Sequence, residues 1–222
     1  MSLPAKEIIE ILKPAYEPCK SIEICSQANW HPEKGHIPRG YLGATGEISE
    51  VEVVFVLAEP SHPLETYSKK ADPLTYIKNC TDLAYECYLH NTYQGKPLEI
   101  NIGHQNLKII LNMLWPDLSF DQQLRKVWIT ESRLCSIDDK TGNIPLNQRY
   151  ICSENYLKRQ LKLLSHAEIV GFGGKAKKML DKLDIEYHSA WAPFPPGANN
   201  PKAMESWKRA VRDIMENRNS DY

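Results

Sequence analysis

A nearly continuous apolar run at residues 51–57, rich in β-branched side chains, is the feature that most constrains the fold. A strand without a polar face has to be covered on both sides, as strands are inside a parallel sheet. Shorter runs at 127–130, 168–172 and 185–191 have the same character and alternate with helical patterns. We therefore predict an α/β fold, a three-layer αβα sandwich around a central four-stranded parallel sheet.

Apolar residues at helical spacing predict the helices that cover this sheet. The helical patterns lie at residues 5–13, 72–91, 103–114, 154–164, 175–183 and 201–217. A chain of 222 residues is long enough to bury one large core, and no repeat or low-complexity linker divides it. We expect a single domain, residues 1–222.

The charge balance excludes a protein that binds nucleic acid through an overall positive charge. Lys and Arg number 27 and Asp and Glu 28, so the formal net charge is −1. A local basic patch would form if one face of the protein carried Lys175, Lys177, Lys178, Lys202, Lys208 and Arg209. The alternative is that these side chains belong to an ordinary solvated helix surface. The first twenty residues contain no signal-peptide or membrane-span pattern, so we expect a cytoplasmic protein, whose six cysteines are thiols or metal ligands rather than disulfides.

Ligands of parallel α/β sheets bind beyond the carboxyl ends of the strands. This rule selects residues 58–62, 131–133, 172–175 and 191–200. The first of these segments, Glu59-Pro60-Ser61-His62, combines a carboxylate with an imidazole, a pair suited to activating water. The alternative is a plain turn, which proline and serine favour.

Two further segments have the composition of nucleic-acid contacts. Residues 171–175 are glycine-rich at a strand-to-helix junction, where backbone amides can approach a phosphate, or where glycine serves a tight turn. They match neither G-x-G-x-x-G nor a Walker loop, which disfavours nucleotide-cofactor enzymes. Residues 191–200 place aromatics beside asparagines, which can stack on bases and contact base edges, unless the loop packs on its own domain.

In order, these segments resemble the uracil-DNA glycosylase superfamily, most closely its iron-sulfur, family-4-type branch. VVFVLAEPSHP is similar to the GEAPG and GQDPYH motifs, and the loop at Ala192 is similar to HPSP. WITESRLC, followed after sixteen residues by CSENYLKRQLKLLSHAEIVGFGGKA, resembles a strand ending in TNVVKC and the helix and strand after it. The resemblance runs from Val51 to the C-terminus and implies a uracil-DNA glycosylase-like fold. Relative to it, residues 1–50 are a helical and loop extension and residues 72–93 carry an inserted helix.

The resemblance implies a hydrolase that acts as a monomer on duplex or single-stranded DNA and removes a damaged or deaminated base, uracil or a related one. The base would be flipped into a pocket while water attacks C1′ of the sugar. The implied catalytic residues are Glu59 and His62. The implied base-binding residues are Ala58, Ser61, Glu131, Phe172 and His188, and those for DNA are Gly173, Gly174, Lys175, Pro195, Asn199 and Asn200.

Two of the chain's departures from the family pattern bear directly on base recognition and catalysis. Glu131 stands where the family has an asparagine that reads uracil, and an ionised carboxylate cannot donate a hydrogen bond as an amide does. Ala192 stands where HPSP has its histidine; an alternative register uses His188, which keeps the histidine but lies inside a predicted strand. These departures leave open an inactive glycosylase-fold protein that binds nucleic acid or a partner, or a role outside DNA on a reused fold.

The resemblance also implies a 4Fe-4S cluster with a structural role. Cys135 and Cys152 match its two distal ligands, and Cys19 and Cys25 would supply the other two, although their spacing is wider than C-x-x-C. The alternative is that these cysteines are simply buried, as cysteine often is. Cys80 and Cys87 lie two turns apart on a predicted helix, so we expect them in the core.

Overall fold

A computed structural model of the chain describes residues 2–17, 36–60, 71–90, 92–93, 96–97, 102–135 and 146–220. The strands are β1 (Leu42–Gly43), β2 (Val53–Leu57), β3 (Thr92–Tyr93), β4 (Lys96–Pro97), β5 (Val127–Glu131), β6 (Glu168–Phe172) and β7 (His188–Ala190). The helices are α1 (Lys6–Leu12), α2 (Pro73–His90), α3 (Ile102–Leu114), α4 (Phe120–Lys126), α5 (Leu146–Cys152), α6 (Lys158–Leu163), α7 (Gly173–Lys182) and α8 (Ala203–Ser220).

Five strands form the main sheet in the order β1-β5-β2-β6-β7, and β3 pairs with β4 separately. The four predicted strands are mutually parallel. The prediction of a four-stranded, purely parallel sheet is wrong at one edge, because β1 pairs antiparallel with β5 and makes the sheet mixed. A strand of two residues has no periodicity for a sequence pattern to reveal, which explains why β1 was not predicted.

Helices cover both faces of the sheet because alternate strand residues point in opposite directions. Val54, Val56 and Trp128 belong to one buried cluster, to which α1, α6 and α7 contribute. Val53, Phe55 and Ile129 belong to a second cluster with α3, α4 and α8. The fully buried β2 thus accounts for the apolar run that singles it out in the sequence.

Helix α2, the segment predicted as an insertion, contributes to both apolar layers. Tyr76 and Ile77 near its start pack in the first cluster, whereas Tyr88 near its end packs in the second. Cys80 and Cys87 are buried, as predicted. Neither α2 nor any other helix of the described residues is both long enough and apolar enough to cross a membrane.

Local differences from the predicted elements have identifiable causes. Helix α4 was not predicted, although Ser119 and Gln122 form a capping box at its start, each accepting a hydrogen bond from the other's backbone N–H. The helix expected at 154–164 is the end of a longer helical stretch, in which a π-helical turn at Ser153–Leu157 joins α5 to α6. Strand β7 is shorter than the predicted 185–191.

The order of the parallel strands creates a crevice beside β2. The chain leaves β2 toward β5 on one side, and it leaves the adjacent β6 toward β7 on the other side. At such a switch point the two outgoing connections separate and open a space beyond the carboxyl ends of the strands. The segments that begin at Ala58 and at Gly173 flank this space.

Candidate functional site

A cavity of about 730 Å³ lies at this crevice. Its walls come from the ends of β2, β5 and β6, the start of α7, the middle of α2 and the loop after β7. The volume lies within the range of small-molecule sites in proteins. The rule that ligands bind beyond the carboxyl ends of parallel strands, here called the strand-end rule, therefore selects segments that meet around one cavity.

Glu59 projects from the end of β2 and is held by two cations. Arg149 donates a hydrogen bond to Oε2 and Lys175 donates one to Oε1. The Glu59 and Arg149 side chains are almost fully buried, whereas the Lys175 side chain is about half exposed. Burial alone would raise the pKa of Glu59, but the hydrogen bonds and charges of Arg149 and Lys175 hold this pKa below its usual range. Glu59 is therefore an ionised carboxylate in the cavity wall.

Glu131 is a second carboxyl group in the same wall, with the opposite behaviour. It ends β5, where it pairs with Leu57 of β2, and only 7% of the residue is exposed. Its Oε2 atom is buried and has no hydrogen-bond partner among the described residues. Burial, and then the negative charge of Glu59, raise the pKa of Glu131 well above its usual range, against a smaller lowering by Arg39.

Gly40 allows the chain to pass directly over Glu131. The backbone of Gly40 has φ +89°, and a Cβ atom there would lie 2.5 Å from Cγ and 2.9 Å from Oε1 of Glu131. Any larger residue would be strained and would press on the carboxyl group. The segment around Gly40 thus contributes to removing Glu131 from water.

Aromatic rings line the other side of the cavity. Phe172 is buried and packs edge-on against Phe55, with ring centroids 5.2 Å apart. His104 packs against Phe194 at 5.3 Å and against Tyr88 at 4.6 Å. Burial lowers the pKa of His104 to about 4, so its imidazole is neutral near pH 7. Trp191 adds a ring that is 42% exposed.

The loop after β7 is anchored to two helices. The Asn106 side chain donates a hydrogen bond to the Pro193 carbonyl oxygen at 2.7 Å. The Trp191 N–H donates to Ser206 Oγ at 3.0 Å, and Trp207 Nε1 donates to the Trp191 carbonyl oxygen at 2.8 Å. Ala192 lies against Gly173, whose φ of +77° makes the turn from β6 into α7. The loop is therefore a fixed wall of the cavity.

The structure brings most of the predicted site residues together. Ala58, Glu59, Glu131, Phe172, Gly173, Gly174, Lys175 and Pro195 all line the cavity. Asn199 and Asn200 are not among the lining residues, and the Asn200 side chain accepts a hydrogen bond from the backbone N–H of Lys202. Ser61 and His62, predicted for base binding and catalysis, lie outside the described residues.

His188 is placed apart from the cavity. It pairs with Val170 at the beginning of β7, whereas the cavity lies beyond the opposite, carboxyl ends of the strands. Its Nε2 atom is 2.8 Å from Oε2 of Glu168. His188, which the alternative register assigns to base binding, is therefore not among the residues that line the cavity, whereas Ala192 is.

The predicted cluster is not assembled by the described residues. Cys135 is half-buried and Cys152 is buried, while Cys19 and Cys25 lie outside the described part of the chain. Among the residues that are described, no three His, Cys, Asp or Glu side chains are grouped to bind a metal. The 4Fe-4S cluster therefore stays a prediction, and no chemical step is derived from it.

Several residues that line the cavity, and Arg149, which binds Glu59 in the cavity wall, were not predicted from the sequence. Arg149 is a buried arginine in α5. A buried arginine is usually paired with a negative group, but its burial cannot be read from the sequence. Cys87, Leu83 and Ala84 reach the cavity from α2. Burial raises the pKa of Cys87 to about 11, so its thiol stays protonated at neutral pH and is a poor nucleophile.

No protein-family model matches the chain, and no curated protein sequence is similar enough to it to count as a match. The chemistry of the site is therefore argued from its own geometry.

Proposed function

We propose that this chain is a uracil-DNA glycosylase-like hydrolase that removes a deaminated base, uracil or a related one, from DNA. The observation that carries the proposal is the ionised Glu59 carboxylate in the wall of a cavity lined by aromatic rings. Hydrolysis of an N-glycosidic bond needs a negative group near the sugar, where positive charge develops, and a flat apolar space for the base. The Glu59 carboxylate and the aromatic rings that line the same cavity support this assignment.

Glu59 would act on the sugar and on the attacking water. Arg149 and Lys175 bind one carboxylate oxygen each, and an oxygen of this kind can accept more than one hydrogen bond. A water molecule can therefore be held by Glu59 while both cations remain in place. Because these contacts exist before substrate binds, the carboxylate needs no reorganisation when charge develops at C1′.

The aromatic wall would hold the base. Phe172 is fixed by Phe55, and Phe194 is fixed against His104, so the rings are positioned before the base enters. Stacking on an aromatic ring contributes about 1–3 kcal/mol per base. Such stacking offsets part of the free energy that is lost when a base leaves the DNA helix.

Lys175 and the start of α7 would hold the DNA backbone. The Lys175 side chain is about half exposed at the cavity. A Cβ atom added at Gly174 would have no atom within 4 Å apart from the adjacent residues and the backbone of its own helix, so the backbone there is open to a phosphate. The N-terminal end of a helix also favours negative charge.

The test is a base-release assay on DNA duplexes and single strands that each contain one deaminated base. We expect release of at least one base, and a loss of about 10²-fold or more in Glu59→Gln. Glu186→Gln, a change at an exposed residue, is the matched control and should leave the rate unchanged.

Two results would overturn the proposal. One is the absence of base release from every substrate by folded protein. The other is release that Glu59→Gln leaves intact. DNA binding that weakens with salt, without any product, would instead assign a binding role to the same surface, in line with the absence of a histidine at Ala192.

A further inference from the structure

Glu131 is the group in the cavity that the proposed hydrolysis has not yet used. Its carboxyl group is more than nine-tenths buried, it lines the cavity, and its Oε2 atom has no partner within the described part of the chain. A buried polar atom without a partner costs free energy, which a ligand that bonds to it would recover. This geometry points to a ligand atom that meets Oε2.

We propose that Glu131, as a neutral carboxylic acid, donates a hydrogen bond to a carbonyl oxygen of the departing base. This inference rests on the proposed function and deepens it. Deamination replaces an amino group of a base with a carbonyl group, so the proposed substrates all offer such an acceptor. The site has no histidine at Ala192, and Glu131 supplies a donor in its place.

The surroundings of Glu131 favour the neutral form. Glu59, Arg39 and Tyr88 interact electrostatically with Glu131. The other titratable residues that line the same cavity are Cys80, Cys87, His104 and Lys175. Lys175 is engaged by Glu59, while His104 and Cys87 are neutral near pH 7. Burial and the charge of Glu59 raise the pKa of Glu131, and Arg39 opposes them only in part.

The two carboxyl groups thereby divide the reaction between them. The bond from C1′ to the base nitrogen breaks, and its electron pair leaves with the base. The oxygen of water forms the new bond to C1′, and the proton it loses passes by way of Glu59 to solvent. Glu131 keeps its proton and stabilises the negative charge on the base carbonyl, and the released base takes a proton from solvent.

Glu59 and Glu131 are the same residue type, so their different roles follow from their different environments. Two carboxyl groups whose pKa values are driven apart are the usual arrangement for one group that acts charged and one that acts as a donor. Glu59 has its cations, whereas Glu131 is buried close to the charge of Glu59.

The first experiment is the pH dependence of base release by the wild type, Glu131→Gln and Glu131→Leu. The wild-type rate should fall about tenfold per pH unit once Glu131 ionises. Glu131→Gln keeps an uncharged donor, so its rate should be within about tenfold of the wild type at neutral pH and should lack this alkaline fall. Glu131→Leu has no donor and should lose about 10²-fold or more. An alkaline fall that persists unchanged in Glu131→Gln would overturn the inference.

A second measurement separates this inference from the proposed function. The infrared spectrum of the protein without DNA should show, at neutral pH, a protonated-carboxyl band that is missing in Glu131→Gln and present in Glu186→Gln. Base release without that band would overturn the role of Glu131 and leave the proposed function standing. The band without base release from any substrate would overturn the proposed function and the catalytic role together.

Discussion

Glu131 lies opposite Leu57 on neighbouring parallel strands, and its carboxyl group shares one cavity with that of Glu59, which follows two residues after β2 ends at Leu57. Two carboxyl groups near each other are not both ionised without cost, because each negative charge disfavours the other. Here Arg149 and Lys175 bind Glu59 and lower its pKa, whereas burial and the charge of Glu59 raise the pKa of Glu131. The assignment of roles in the cavity follows from this asymmetry.

The buried ion pair between Glu59 and Arg149 should be strongly coupled to folding. Arg149→Met removes one partner and leaves a buried carboxylate with Lys175 alone, so we expect a loss of about 3–5 kcal/mol in the free energy of unfolding. The matched control is Arg125→Met, which breaks a solvent-exposed pair with Glu50 and should cost far less. Urea unfolding of both variants checks this, and equal losses would contradict it.

The stability of the wild type should depend on the charge of Glu59 at acid pH. Its pKa in the folded protein is below the ordinary value of 4.5, so its contribution is complete above that value. The contribution is lost as the pH falls through the lowered pKa of the folded state. Thermal unfolding between pH 7 and pH 3 should show a steeper fall for the wild type than for Glu59→Gln. Parallel curves would show that folding does not lower the pKa of Glu59.

Glu131 should have the opposite effect at alkaline pH. Its pKa is raised in the folded protein, so stability from this group is complete below the unfolded value and is lost as the pH rises through the folded pKa. Glu131→Gln should therefore lose less stability than the wild type between pH 6 and pH 9, as measured by urea unfolding. A wild type as insensitive to pH as the variant would contradict the burial of an uncompensated carboxyl group.

Gly40 and Gly174 should respond differently to the same substitution. Gly40→Ala combines a positive φ with a Cβ atom 2.5 Å from Glu131 Cγ, and we expect a loss of about 1–3 kcal/mol. Gly174→Ala places its Cβ in open space in the first turn of α7, and we expect no loss or a gain of about 0.5–1 kcal/mol. Thermal unfolding distinguishes the two, and a tolerated Gly40→Ala would show that the segment moves away from Glu131.

Lys175 should contribute to DNA affinity through charge. Lys175→Gln is expected to reduce the slope of log affinity against log salt concentration by about one, because one phosphate contact is lost. The control is Lys208→Gln, an exposed lysine of α8 that does not line the cavity. Fluorescence anisotropy with a short duplex at several salt concentrations measures both slopes. Equal slopes for the two variants would remove Lys175 from the DNA contact.

The sequence was most informative where the fold is decided locally. Strands β2 and β6 and helix α3 lie at or within two residues of their predicted positions. Burial of a whole strand gives a continuous apolar run, and burial of one helix face gives apolar residues at helical spacing. The strand-end rule also identified Glu59, Phe172 and Lys175 as neighbours of one space. This prediction needs only the parallel order of the strands.

The chemistry of the cavity depends on partners that are distant in sequence. Arg149 meets Glu59 across 90 residues, and no periodicity connects the two. The raised pKa of Glu131 was not predicted either, because Gly40, which lies over its side chain, and α2, which lines the same cavity, are distant in sequence. His188 could be assigned to β7 or to the cavity from the sequence, and only the register beside β6 places it at the other end of the strand.

The residues that line the cavity come from segments that are far apart in the sequence, between Arg39 and Gly197. Contacts between segments so far apart form late, because the entropy of closing long loops must be lost before they give any stabilisation. During synthesis, Glu59 leaves the ribosome long before Arg149 and Lys175 exist to neutralise it. The site is thus a product of the completed chain, because a fragment that ends before the loop after β7 would lack one wall of the cavity.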